Sequence, residues 1–176
     1  MKILEICMSS GFGGLEMYMA KVTGFLADSR HSVNVLVRKG SFLDKRLTEM
    51  RLEPDFLDIT LYHAPVIAAK KLANYIRRHR IDIIHVHHGK DLLLCVLAKV
   101  FAGRGKLVYT RQMNLTRSKK DYYHRFLYKN VDAYLCITQL LHDDAVKYLP
   151  IDRNRVQVLY YGVPAPPEDR TDCRAF

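Results

Sequence analysis

Four short polar segments carry the residues best suited to ligand chemistry, and each follows an apolar run. The first, residues 9–14, has the sequence Ser-Ser-Gly-Phe-Gly-Gly and precedes a helix-like stretch. Glycine permits close backbone approach and a helix amino end presents free N–H groups, so this loop suits a phosphate or sugar-like ligand. The spacing matches neither a dinucleotide-binding fingerprint nor a P-loop, which disfavours ordinary dinucleotide oxidoreductases and P-loop NTPases. The alternative is a plain tight turn.

The second segment is rich in histidine and covers residues 85–89, His-Val-His-His-Gly. His85 and His87 share one strand face because side chains alternate along a strand, and His88 leads into the next loop. A metal site needs a third ligand, which the sequence does not nominate, so we expect no metal. We interpret His85 as packed inside, with His87 and His88 lining a cleft as hydrogen-bonding groups.

The third and fourth segments follow later strands. Arg111 and Gln112, together with Asn114, form a cluster that can hold hydroxyls and phosphates, although a solvated loop is the alternative. Thr138 follows the next strand and is a further binding candidate. Its alternative role is the amino cap of the helix that begins after it.

Apolar, strand-like runs alternate with amphipathic stretches along the chain, and these elements must position the four segments. The predicted strands are residues 2–8, 32–37, 56–59, 81–87, 106–110, 133–137 and 155–160. The predicted helices are residues 14–28, 41–50, 65–80, 91–101, 118–130 and 139–148. Strands that are apolar on both faces and alternate with helices predict an α/β fold, a doubly wound, Rossmann-like parallel sheet of about seven strands. Ligands of such sheets bind beyond the carboxyl ends of the strands, where the four segments lie.

The organisation is that of one domain with a short tail. Residues 1–163 carry the alternating pattern, and residues 164–176, with several prolines and charges, indicate a linker or tail. None of the four cysteines forms a C-x-x-C pair, so structural zinc is not expected. No apolar run is long enough to span a membrane, and no cleavage site follows the first strand, so we expect a cytoplasmic protein.

The charge balance favours an anionic partner, because 28 Lys and Arg face 18 Asp and Glu. Two predicted helices carry basic faces, and the second also carries aromatic residues. Such faces can dock on anionic lipid at the inner face of the cytoplasmic membrane, although a merely solvated face is the alternative. No helix-turn-helix, RRM or KH pattern occurs, so we expect no nucleic-acid partner. The candidate docking residues are Lys70, Lys71, Arg77, Arg78, Lys119, Lys120 and Arg125.

An ordered set of motifs resembles the amino-terminal domain of a GT-B fold, family 4 glycosyltransferase. Gly13-Gly14-Leu15-Glu16 is similar to the G-G-x-E that opens the family's first helix. Residues 82–88, DIIHVHH, and 108–111, VYTR, are similar to the family's D-[IV]-[IV]-H-x-H and T-R-H. Residues 131–138 and 153–163 resemble its A-D-x-[IV]-x-x-[IV]-S and K-[IV]-x-V-I-x-N-G-V-D.

The resemblance implies metal-free transfer of a hexosyl group, with retention, from a nucleotide sugar to a polysaccharide or lipid-linked acceptor. It implies that Gly13 and Gly14 reach the donor and that Glu16 braces their loop or meets the ligand. Arg111 and Gln112 would lie beside the reacting sugar. His87 and His88 would line the acceptor side.

Two positions depart from the family pattern. The family's histidine after the fifth strand is replaced by Gln112, which cannot relay protons, and its N-G is replaced by Tyr161-Gly162. The second, donor-binding domain with its E-x7-E motif does not occur before Phe176. We therefore expect a truncated product, an isolated domain or one half of a split enzyme, inactive alone. A non-enzymatic module for a phosphorylated ligand is the remaining alternative.

Overall fold

The computed structural model describes residues 1–57, 65–115 and 117–162. Over these residues the chain forms one six-stranded sheet in the order β2-β1-β3-β4-β5-β6, with every neighbouring pair parallel. The strands are β1 Lys2–Cys7, β2 Ser32–Val37, β3 Ile83–Val86, β4 Lys106–Arg111, β5 Ala133–Cys136 and β6 Val156–Val158. The helices are α1 Gly14–Asp28, α2 Phe42–Glu49, α3 Pro65–His79, α4 Leu92–Ala102, α5 Tyr122–Lys129 and α6 Gln139–Tyr148. The predicted doubly wound α/β fold is confirmed.

The predicted strand at residues 56–59 is wrong where the structure describes it. Asp55 forms a single parallel bridge with Leu36, and residues 56 and 57 are in no strand. The bridge is local because it consists of two backbone hydrogen bonds, from the Asp55 amide to Val35 and from the Val37 amide to Asp55. Residues 58 and 59 lie outside the described residues, as do residues 163–176 with the predicted tail.

Two predicted helices begin later than expected. The helix predicted for residues 118–130 begins at Tyr122, since the Asp121 carboxylate accepts the His124 backbone amide at 3.0 Å. Lys119 and Lys120 therefore precede α5 rather than belonging to it. The helix predicted from residue 91 begins at Leu92, after a 3₁₀ turn at Gly89–Asp91.

Two apolar cores lie on opposite faces of the sheet. Leu4 and Ile6 of β1 pack in the larger core with residues of β3, β4, α3 and α4. Cys7 packs in the smaller core, which α1 and α2 cover. Because side chains alternate along a strand, Glu5 shares the face of Cys7. The face beneath α1 thus contains a buried carboxylate in the middle of the sheet.

Three of the cysteines behave as small core residues. Cys7, Cys95 and Cys136 are buried free thiols, and burial raises the pKa of Cys7 and Cys136 to about 12. Cys173 lies outside the described residues. Among the described helices, none combines the length and apolar character that crossing a bilayer requires.

Candidate functional site

A buried polar network lies at the centre of the sheet, on the face that α1 covers. The parallel register of β1 and β3 places Glu5 opposite His85. Glu5 Oε1 accepts from His85 Nδ1 at 2.9 Å, and Glu5 Oε2 accepts from His87 Nε2 at 2.6 Å. Glu5 and His87 are almost completely buried. One carboxylate therefore holds two imidazoles that follow each other on the same strand face.

The network fixes the protonation of its members. Burial alone would raise the pKa of the Glu5 carboxyl, but the charges and hydrogen bonds of His85 and His87 lower it to about 2. Burial and the neighbouring His85 lower the pKa of His87, although Glu5 opposes this shift. Glu5 is therefore ionised and His87 neutral at pH 7. Because Glu5 can only accept, His87 carries its proton on Nε2 and leaves a lone pair on Nδ1.

The network continues toward α1. His85 Nε2 lies 2.7 Å from Thr110 Oγ1 of β4. Thr110 also hydrogen-bonds the hydroxyl of Tyr18, and burial raises the pKa of that hydroxyl. The Tyr18 ring lies against His87, with ring centroids 5.9 Å apart. The three adjacent strands β1, β3 and β4 thus contribute to one hydrogen-bonded system.

The same three residues could also hold a metal ion. Ligand atoms of Glu5, His85 and His87 all lie within 4.8 Å of one another. Glu5 is the third ligand that the sequence did not nominate, and its one signal was a charged residue within the apolar strand KILEIC. The atoms that face one another are already matched as donors and acceptors, so the network holds together as hydrogen bonds.

A cavity of about 380 Å³ opens beside His87, beyond the carboxyl ends of β3 and β4. His87, His88, Arg111 and Gln112, four of the predicted site residues, line it together. Lys90 and Lys119 also line it, and the described lining includes no acidic residue. The cavity is therefore positive, and it lies where parallel sheets bind their ligands.

Three buried polar atoms of the cavity residues have no hydrogen-bond partner: His87 Nδ1, His88 Nδ1 and Gln112 Nε2. His88 Nδ1 lies 3.5 Å from the Asp91 carboxylate, too far for a good hydrogen bond. A buried polar atom without a partner costs about 1–3 kcal/mol. The three residues that carry these atoms line one cavity, so a ligand bound there is a candidate partner for them.

Arg111 is fixed in place by its own loop. Its Nη2 donates to the Asn114 carbonyl at 2.8 Å, its Nε donates to the Met113 carbonyl, and its Nη1 reaches the Tyr109 hydroxyl at 3.4 Å. Gly89 makes this arrangement possible, because a Cβ there would lie 2.9 Å from the Tyr109 hydroxyl and 3.8 Å from Arg111 Nη1. Because Gly89 has no side chain, Tyr109 and Arg111 can keep their positions in the cavity wall.

The glycine loop adjoins the cavity through Leu15, which lines it, whereas Gly13, Gly14 and Glu16 are not among the lining residues. Gly13 is the N-cap of α1, and Glu16 is buried in its first turn. The Glu16 carboxylate lies against the loop, since a Cβ on Gly13 would be 3.4 Å from it, and Gly14 faces open space.

The other predicted residues lie apart from the cavity. Thr138 caps α6, accepting the Leu141 amide at 3.2 Å. Lys70, Lys71, Arg77 and Arg78 are exposed on α3. Lys120 lies just before α5 and Arg125 lies on it, and α4 packs against both α3 and α5. Of the predicted docking residues, Lys119 is the one found in the cavity.

Comparison with known proteins identifies the family. The family model described as Glycosyltransferase Family 4 matches residues 12–165, which is most of the chain. The chain belongs to glycosyltransferase family 4. This family assignment agrees with the resemblance of the ordered motifs. No curated protein matches the sequence.

Solved glycosyltransferases share the fold of this family 4 chain. A glycosyltransferase from Rickettsia africae has 20% identity and a TM-score of 0.77, over 92% of this chain and 43% of its own. HepE from Anabaena, solved in complex with UDP and glucose, has 15% identity and a TM-score of 0.74, over 93% and 45%. The lipopolysaccharide outer core galactosyltransferase WaaB has 19% identity and a TM-score of 0.72, over 97% and 50%. The chain thus spans half or less of the length of these structures.

Proposed function

We propose that this chain is the acceptor-binding domain of a retaining glycosyltransferase, which transfers a hexosyl group from a nucleotide sugar to a polysaccharide or lipid-linked acceptor. The observation that carries the proposal is the cavity at the carboxyl edge of β3 and β4. Its three unpartnered buried atoms suit a hydroxyl-rich ligand, which both donates and accepts hydrogen bonds. Membership of the family supports the reaction class.

The donor would approach the glycine loop. Gly14 faces open space and begins α1, whose free amides favour a phosphate or sugar. Glu16 would brace the loop from below. HepE, about twice as long, binds UDP and glucose. We propose that a second domain or a partner chain completes the donor site here too, that this chain alone is inactive, and that transfer needs no metal or other cofactor.

The experiment uses the complete gene product that contains this chain. Purified protein is incubated with a panel of UDP- and GDP-hexoses and a glycolipid extract, and released nucleotide and glycosylated product are measured. A Gly14→Val variant is expected to lose at least about tenfold in nucleotide release, because its side chain fills the space that the donor needs, and a Cβ there has no protein atom within 4 Å. Asp28→Val, at the exposed other end of α1, is the matched control.

The result that contradicts the proposal is a folded gene product that neither binds nor consumes any nucleotide sugar. Activity that appears only after addition of a second protein supports the split form of the enzyme. Activity that falls on addition of EDTA contradicts the metal-free reaction.

We also propose that the protein docks on the inner face of the cytoplasmic membrane. Tyr122, Tyr123 and Phe126 are exposed on α5, beside the exposed cations Lys120 and Arg125. Aromatic rings and cations on one short helix and just before it suit the interface of an anionic bilayer. The basic face of α3 would extend the surface.

Co-sedimentation with phosphatidylglycerol vesicles tests the docking. Binding is expected at low salt and should weaken as salt rises. A Tyr122→Ser and Phe126→Ser double variant should bind several-fold more weakly, whereas Phe25→Ser, at an exposed aromatic of α1, should bind normally. No sedimentation of the wild-type protein at low salt contradicts this part of the proposal.

A further inference from the structure

We propose that the acceptor carries a phosphoryl group, which binds in the cavity against Lys90, Arg111 and Lys119. The inference rests on the proposed function, because it names the class of acceptor that the same cavity takes. A neutral glycan would leave these three cations without a counter-charge. A phosphorylated sugar or a sugar attached to a lipid through phosphate would supply it.

The charge of the cavity is the first argument. Its described lining contains three permanent cations and no carboxylate. Lys119 is partly buried, and burial together with the charges of Arg111 and Arg117 lowers its pKa. The cations thus repel one another in a partly desolvated space. An anion with several acceptor oxygens relieves this repulsion and forms charge-assisted hydrogen bonds.

The geometry of Arg111 is the second argument. Its contacts with Met113, Asn114 and Tyr109 use one N–H from each of its three nitrogens. A guanidinium has five N–H donors, so two remain for a ligand. The anchored side chain loses little conformational entropy on binding, which makes it suited to a phosphate.

The unpartnered atoms define the rest of the ligand. Gln112 Nε2 is a donor, which suits a phosphoryl or hydroxyl oxygen. His87 Nδ1 is an acceptor, because Glu5 holds the His87 proton on Nε2. An acceptor nitrogen needs a hydroxyl as its partner. The cavity therefore matches a molecule that combines an anionic group with a hydroxyl, and its volume of about 380 Å³ falls in the range of small-ligand sites.

Isothermal titration of this chain with glucose 1-phosphate, inorganic phosphate and glucose tests the proposal without a donor. Glucose 1-phosphate is expected to bind, and glucose should bind at least about tenfold more weakly. Lys119→Gln should weaken glucose 1-phosphate binding by about tenfold, the usual loss for one charge-assisted hydrogen bond. Lys39→Gln, which removes an exposed charge that is not part of the cavity lining, is the matched control and should bind like the wild type.

Two outcomes overturn the proposal: glucose binding as tightly as glucose 1-phosphate, or Lys119→Gln binding glucose 1-phosphate like the wild type. A circular dichroism melt checks that the Lys119→Gln variant is folded. Phosphatidylinositol vesicles distinguish the two sources of phosphate. If their binding depends on Lys119 the ligand is lipid-linked, and if it does not the ligand is a soluble sugar phosphate.

The inference and the proposed function fail separately. If the complete gene product transfers sugar and Lys119→Gln leaves the transfer unchanged, the phosphoryl site is wrong and the glycosyltransferase stands. If glucose 1-phosphate binds through Lys119 but no nucleotide sugar is used, the site stands and the proposed reaction is wrong.

Discussion

His87 lies between two regions of the molecule, one in which buried polar groups hydrogen-bond one another and one in which they lack partners. Beneath α1, Glu5 holds His85 and His87 through short hydrogen bonds, and Thr110 completes the set. On the cavity side, three lining residues, His87 among them, each have a buried polar atom without a partner, and the described lining has cations but no acidic residue. Both regions are polar and lie near the same strand ends.

The difference distinguishes polar groups that hold the fold together from polar groups that are available to a ligand. A satisfied buried network specifies strand register and side-chain orientation, and it costs stability when one member is removed. Buried polar atoms without hydrogen-bond partners lower the stability of the protein until a ligand supplies those partners. Substitutions on the Glu5 side should therefore affect folding most, and substitutions on the cavity side should affect binding most.

The largest expected effect is on the Glu5 side. Glu5→Gln removes the charge that both imidazoles meet, and we expect the free energy of unfolding to fall by about 3 kcal/mol. Urea denaturation followed by circular dichroism measures it. Glu53→Gln, at an exposed position, is the control. Equal stability of the two variants would show that the network contributes nothing to folding.

A second substitution, at Gly89, tests the packing of the cavity wall. Gly89→Ala places a Cβ 2.9 Å from the buried Tyr109 hydroxyl, so we expect a loss of about 1–3 kcal/mol in unfolding free energy. Removing that hydroxyl in a Gly89→Ala and Tyr109→Phe double variant should restore much of the loss. Gly14→Ala, with open space around it, should be neutral. No rescue by Tyr109→Phe would refute the steric cause.

The pH dependence gives a smaller effect. The pKa of His87 is lower in the folded protein than its ordinary 6.5, so the unfolded chain binds the proton first. Stability from this group is complete above pH 6.5 and is lost as pH falls below it, by about 1.4 kcal/mol per pH unit at most. Glu5 adds a further loss below pH 4.5, toward its folded pKa of about 2.

Urea midpoints between pH 7.5 and 5 measure the His87 contribution. A His87→Asn variant should show a flatter pH profile over this range than the wild type. Identical slopes for the two proteins would mean that His87 is not held neutral in the fold.

Much of the fold follows from the sequence, because apolar strands and amphipathic helices differ in period. The error at residues 56–59 arose where a one-residue bridge at Asp55 replaced a strand. His87, His88, Arg111 and Gln112 were predicted as site residues, because the topology brings the ends of parallel strands together. Their binding roles stay predictions.

Two features needed the structure. Glu5 looked like an isolated charge in an apolar strand, and only the register of β1 against β3 places it between His85 and His87. Lys119 was predicted on a basic helix. The Asp121 cap starts α5 later, and Lys119, before the helix, lines the cavity; its membrane-docking role stays a prediction. The position of Glu5 depends on contacts between residues far apart in sequence, and that of Lys119 depends on one helix cap. The periodicity of the sequence encodes neither.

The most direct test of the cavity as the binding site is an amide chemical-shift titration of the chain with glucose 1-phosphate. The account predicts that the largest shifts occur at His87, His88, Arg111, Gln112 and Lys119, with the amides of α3 unchanged. Shifts confined to α3, or no shifts at saturating ligand, would contradict it.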